Sequence, residues 1–271
     1  MSRIAFLFGL TQVYVLHMLR ALGVLMAVGL TAPQTGYRYG GTFIGAIICA
    51  DGIVVASDSR MTFMDAADHA FGYLDGMPKI YVDRGAAVAM SGLTNLEGEL
   101  FSSFARRNDY LLSRPVNEVL FGFLVWLPFK NNTSVGLISA GFLDGEPMIC
   151  SKSPMLAQRC SNSGYIASKD SPLLRETLTK LGRIPNTNEG AVALRAAIGQ
   201  YSKTDTTVGG PTSILKLTHG APPQWLENPP TDRGLSQVCE LVQEHRNGRL
   251  RIMPLGDPQE LERRLAASCP K

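Results

Sequence analysis

The chain has 271 residues, of which 45% are hydrophobic, and a formal net charge of +3. That length accommodates one domain of about 230 residues plus an extension. The near-balanced charge, with no Lys/Arg run interleaved with aromatics, points to neither nucleic acid nor an anionic membrane. Five cysteines (Cys49, Cys150, Cys160, Cys239, Cys269) are scattered without a CxxC or a His-spaced pair. Neither a metal site nor a disulfide framework is indicated, no cofactor is implied, and free buried thiols are expected.

In chain order, Ile4–Val15 and Ala21–Leu30 are apolar but are split by His17 and Arg20, so no run reaches the roughly 18 residues of a membrane-spanning helix. Ala21–Leu30 follows Met18-Leu19-Arg20 and has the short apolar core of a secretory signal, although Pro33 follows the best cleavage position at Ala32. Residues 1–41 therefore read either as a propeptide or as a signal peptide or membrane tether, the latter with a start at Met18. Next come Gly41-Thr42, a strand Phe43–Cys49, a turn at Asp51-Gly52, a strand Ile53–Ala56 and then Ser57-Asp58-Ser59-Arg60. A threonine hydroxyl is a weak nucleophile. Cleavage between Gly41 and Thr42 would place an α-amine beside it, with a reference pKa of about 7.7–8.0, able to take its proton. Asp-Gly hairpins are common, so this hairpin does not by itself decide the function.

Pro78-Lys79 precedes a short strand Ile80–Val82, a turn at Arg84-Gly85 and a strand Ala86–Gly92. Helical spacing of apolar residues predicts helices over 93–110 and, after Pro115, over 116–126. A second hairpin spans 133–149 with its turn at Asp144-Gly145, Ser161-Asn162-Ser163-Gly164 forms a turn, and helices are predicted over 172–181 and 189–202. Asp205 follows, four residues before Gly209-Gly210. The tail from Asp232 carries two short amphipathic helices.

Gly41-Thr42, Asp58, Arg60, Lys79 and Gly92, in that order and spacing, resemble the proteasome β-type subunit family, threonine peptidases of the N-terminal nucleophile hydrolase superfamily. The second hairpin and Asp205 extend the likeness over most of the chain. The resemblance implies an α+β fold, a four-layer αββα sandwich, with residues 1–41 a propeptide or signal-like segment, 42–231 the hydrolase domain and 232–271 a C-terminal extension packed on it. It makes Thr42 the nucleophile, Lys79 its charged neighbour held by Asp58, Gly92 the oxyanion-hole residue, and Arg60, Ser163 and Asp205 further catalytic residues. Val208 stands where the family has a serine, and the loop before Lys79 is about five residues longer than usual. Met61, Met77 and Met90 take the positions that line the S1 pocket, so a large hydrophobic P1 residue is expected.

The implied activity is that of a self-compartmentalised endopeptidase acting on peptides or unfolded protein, assembled in homo-oligomeric rings, among which the stand-alone bacterial homologues are the nearest in character. An ATP-dependent unfoldase partner is left open. The expected compartment is the cytoplasm, or the periplasm or a membrane surface if residues 1–32 serve as a signal or tether. The alternatives are a non-catalytic structural subunit, which would have no need of the cleavage junction, and an amidohydrolase of the same superfamily acting on small amides.

Overall fold

The computed structural model describes residues 38–40, 42–65, 67, 69–92, 95–96, 99–126, 135–152, 157–229, 231 and 233–269. Gly41 and residues 1–37, on which the propeptide and signal readings rest, lie outside the described residues. The first half runs β1 (Arg38–Gly40), β2 (Ile44–Cys49), β3 (Gly52–Ser57), β4 (Met61–Met64), β5 (Ala70–Leu74), β6 (Ile80–Asp83), β7 (Ala86–Gly92), β8 (Asn95–Leu96), β9 (Glu99–Leu100), α1 (Phe101–Arg107), a 3-10 turn (Asp109–Ser113) and α2 (Val116–Trp126). The second half runs β10 (Val135–Leu143), β11 (Glu146–Lys152), β12 (Arg159–Ser161), β13 (Tyr165–Ala167), α3 (Pro172–Leu181), α4 (Thr187–Tyr201), β14 (Ser213–Leu217), β15 (Gln224–Glu227), α5 (Val238–Arg246), β16 (Met253–Pro254) and α6 (Pro258–Ser268). The fold is α+β with antiparallel sheets. Among the described residues no helix is long and apolar enough to cross a membrane.

Two five-stranded sheets carry the body, in the orders β13-β2-β3-β14-β15 and β12-β11-β10-β7-β6. Because strand side chains alternate in direction, each strand feeds two cores. Ile44, Ala46 and Ile48 of β2 and Ile53 and Val55 of β3 meet Ala87 and Ala89 of β7 and Ile138 and Ala140 of β10 in one cluster. The residues between them turn the other way. Ile47, Val54 and Ala56 pack with Leu174 of α3 and Leu194, Ala197 and Ile198 of α4. Val88, Met90 and Leu137 pack with Phe101 and Phe104 of α1 and Val119, Leu120 and Phe123 of α2. Burial on both faces explains why these strands read as nearly continuous apolar runs.

The helix caps follow the sequence closely. Ser171 accepts from the Leu174 amide ahead of Pro172, and Gly182 closes α3 in the left-handed conformation. Asn186 and Glu189 cap α4 reciprocally. The helix expected over 93–110 begins only at Phe101, because Asn95–Leu96 and Glu99–Leu100 pair as strands.

The longer loop before Lys79 is not loose. It forms β4 and β5, which build a further sheet in the order β1-β4-β5-β16. Met61, Phe63, Phe71 and Leu74 from this sheet share a core with Val238, Leu241, Leu261 and Leu265 of α5 and α6. The expectation of free buried thiols holds for Cys49 and is corrected for the others. Cys150 and Cys160 sit opposite one another on β11 and β12 and form a disulfide, and Cys239–Cys269 joins α5 to the end of α6. Only Cys49 is free among the described cysteines, and burial, then the Asp51 charge, push its thiol up to about 12.

Candidate active site

Asp58 leaves the end of β3 at a point where β2 begins alongside. Its amide donates to the Phe43 carbonyl at 3.1 Å and its Oδ1 accepts from the Phe43 amide at 2.8 Å, which clamps the backbone next to Thr42. Oδ1 also accepts from Lys79 Nζ at 3.1 Å, while Oδ2 accepts from the amides of Arg60 at 3.2 Å and Gly209 at 3.0 Å. Lys79 donates a second bond to the Arg60 carbonyl at 2.6 Å. Asp58, Lys79 and Thr42 are 0%, 1% and 3% exposed, so a carboxylate and an ammonium lie in the interior beside the threonine. Burial pulls the Lys79 ammonium below its ordinary value, and the Asp58 charge opposes that shift.

Backbone geometry protects this arrangement. A Cβ on Gly209 would come within 2.6 Å of the Arg60 guanidinium carbon, so a side chain there would push the guanidinium from its place over this loop. Gly92, at the end of β7, has φ 94° and is opposite Val135 on β10, a left-handed conformation that favours glycine.

The other expected residues divide. The Arg60 guanidinium turns from Lys79 to make two bonds to Asp75, at 2.9 and 3.1 Å, and lies 3.9 Å over the Tyr73 ring. The hydrogen bonds it donates to Asp75 hold its pKa above the ordinary value, against the opposing effect of burial. Only its backbone serves Lys79. Asp205 bonds to Lys169 and Thr207. Burial raises the Asp205 carboxyl, but these bonds outweigh it and leave the group lowered.

Ser163 is not brought to this cluster. It is exposed, and the Gly164 carbonyl next to it accepts from the Ile48 amide, which puts the turn at the far end of β2, about 20 Å of strand from Thr42. The serine at the near end is Ser168, just past β13. Its Oγ accepts from the Ile44 amide at 3.0 Å, and its own amide donates to the Ile44 carbonyl at 2.9 Å. Asp205, through Lys169, anchors the same loop. The pairing of β13 with β2, Ala167 opposite Gly45, decides between the two serines. Val208 is fully buried in the α3/α4 core, so it offers no hydrogen bond at the site.

The three methionines do not share a wall. Met61 and Met77 belong to the core with α5 and α6, and Met90 to the core with α1 and α2. The alternation along β7 accounts for it, since Ala87 and Ala89 face the opposite sheet and Val88 and Met90 face the helices. What opens beside Ile44 is instead a cavity of about 200 Å³ between the inner faces of the two large sheets, touched by Ser91, Ser168 and Ser151. Among the described residues no cluster of three or more His, Cys, Asp or Glu is placed to hold a metal ion.

No family model matches the chain, and no curated protein matches it. Among solved structures, its fold is similar to that of an Anbu (Gly-1) mutant from Hyphomicrobium sp. strain MC1, at 14% identity and a TM-score of 0.52 over 69% of this chain and 88% of that one. A second similar structure is Anbu (ancestral beta-subunit) from Yersinia bercovieri, at 12% identity and a TM-score of 0.49 over the same shares. These findings correct the family expected from the motifs. The likeness is to Anbu proteins, proteasome-like but distinct from the proteasome β-type subunits, and it is a likeness of fold.

Proposed function

We propose that the chain is a peptide-bond hydrolase that uses Thr42 as an N-terminal nucleophile after cleavage of the Gly41–Thr42 bond. The observation that carries this is the buried Asp58–Lys79 pair, whose carboxylate holds the Phe43 amide next to Thr42. In the precursor, Thr42 Oγ adds to the Gly41 carbonyl, the peptide nitrogen leaves as the new α-amine, and water opens the resulting ester. In turnover the free amine takes the hydroxyl proton as Oγ attacks the substrate carbonyl. The same proton passes to the leaving amine, and water hydrolyses the acyl ester. Lys79 lies where its charge stabilises the developing alkoxide, Asp58 fixes Lys79 and the Phe43 amide, and the Gly92 backbone serves the oxyanion.

The wider picture belongs to the same reading. The cores on either side of the two large sheets support a four-layer αββα sandwich with the segment after residue 231 packed on the same domain. Phe121 and Val125, 62% and 57% exposed on one side of α2, support assembly through that helix into a homo-oligomer that encloses its sites. Two disulfides favour an oxidising compartment over the cytoplasm.

Intact mass of the purified protein tests the nucleophile. Wild type should begin at Thr42, and Thr42→Ala should retain the upstream residues. An active wild type that still carries residues 1–41 defeats the mechanism.

A further inference from the structure

The cavity beside Ile44 has a chemistry unlike the methionine pocket that the sequence leads one to expect. Its floor is apolar, from Ile44, Ile138 and Ile166, and the cation on its face is Arg159. None of the described residues lining it is acidic. Its volume, about 200 Å³, is below the roughly 300–1,000 Å³ of sites for drug-sized ligands and suits one side chain. Ile44 is two residues from Thr42, so their Cα atoms are at most about 7 Å apart. Any chain whose carbonyl reaches Thr42 passes this opening.

Register sets where the charge points. Arg159 is opposite Ser151 across the β11–β12 pair, so both side chains leave the sheet on one face. That face is the inner one, because Ile149, two residues before Ser151, packs in the inter-sheet core. Ser168 reaches the same space from the other sheet while its Oγ accepts from the Ile44 amide. Arg159 is exposed, which places its guanidinium at the mouth and the isoleucines below. The methylenes of a glutamate would rest on that floor, with its carboxylate meeting the guanidinium fork and a serine hydroxyl.

We propose that this cavity is a specificity subsite for an acidic side chain flanking the scissile bond, recognised by Arg159. The inference rests on the hydrolase reading of Thr42.

The test compares wild-type binding of labelled peptides in which a reduced amide replaces the scissile bond, identical but for Glu or Gln beside it on either side, by fluorescence anisotropy. The Glu peptide should bind roughly tenfold or more tightly at low salt, as a charge-assisted hydrogen bond allows, and Arg159→Gln should erase the difference. Equal binding of Glu and Gln by wild type, or a preference that survives in the folded Arg159→Gln variant, overturns the subsite. Cleavage of the matching ordinary peptides separates the two readings. A Glu preference in binding without any hydrolysis supports the subsite while refuting the hydrolase, and hydrolysis of Glu and Gln peptides at equal rates refutes the subsite alone.

Discussion

Replacing Asp58 by Asn, in a Thr42→Ala background so that processing does not intervene, isolates the buried pair. Asp58 accepts four hydrogen bonds, from Lys79 Nζ and the amides of Phe43, Arg60 and Gly209. An amide nitrogen in place of either oxygen cannot accept, so two donors lose their acceptor and Lys79 loses its counter-charge with both side chains 0% exposed. Breaking a buried pair in this way costs about 3–5 kcal/mol. An independent ceiling agrees: Lys79 can shed its proton, and deprotonating an ordinary lysine at pH 7 costs about 5 kcal/mol. For a domain of this size the loss corresponds to a fall in Tm of about 6–20 °C. The pH dependence has a definite sign. Lys79 in the folded chain already lies below its ordinary value of 10.5, and without Asp58 it falls further. The folded state then binds fewer protons than the unfolded chain, so stability rises with pH until the unfolded lysine itself titrates. Urea unfolding at pH 7 and pH 9 should therefore show a deficit that shrinks with pH. A loss below about 1 kcal/mol, or one that grows as pH rises, would refute the buried-pair reasoning.

Lys79→Ala should lower peptide hydrolysis by about 100-fold or more, read from kcat on a peptide the wild type cleaves; activity within a few-fold of wild type removes Lys79 from the mechanism. Ser168→Ala should cost about 1 kcal/mol through the lost bond to the Ile44 amide and lower kcat, whereas an equal effect from Ser163→Ala would return that exposed serine to the site. Cys239→Ser with Cys269→Ser opens a loop with a sequence separation of 30 and should cost about 3–4 kcal/mol in urea unfolding; alkylation of the unfolded, non-reduced protein should label Cys49 and spare the other four.

The residues legible in the sequence were those whose geometry is local. Thr42, Asp58 and Lys79 come together because two hairpins, β2–β3 and β6–β7, put them at strand ends, and hairpin register follows from the Asp51-Gly52 and Arg84-Gly85 turns. α2 and α3 have the bounds their apolar spacing and Pro115 and Pro172 predict. Choices that depend on register between distant strands were not legible. Whether Ser163 or Ser168 faces Thr42 turns on a pairing more than a hundred residues from β2. The alternation along Ala86–Gly92 does separate Ala89 from Met90, but which face meets helices and which meets the other sheet is a tertiary fact. The disulfides belong to the same class: Cys239 and Cys269 meet only because α5 and α6 both pack on β4 and β5. Asp75, the partner of Arg60, lies in the stretch that reads as an inserted loop.

The buried pair is also the place where the chain departs from its own rules. Its strands otherwise fill their inward positions with Ile, Val, Ala and Leu, and the neighbours of Lys79 in sequence, Met77 and Ile80, are buried apolar residues. The amides of Phe43, Arg60 and Gly209 give Asp58 a structural role that an apolar residue could not fill. The ammonium is different, because buried ion pairs are on average no more stabilising than apolar replacements. The catalytic role proposed for Lys79 does account for it. A lysine held below its ordinary pKa by burial, and kept in place by two acceptors, is the device for which such a site accepts a local cost. The same reasoning separates Asp58 from Asp205, whose partners Lys169 and Thr207 are partly open to solvent and whose bond to Lys169 ties it to the loop that carries Ser168.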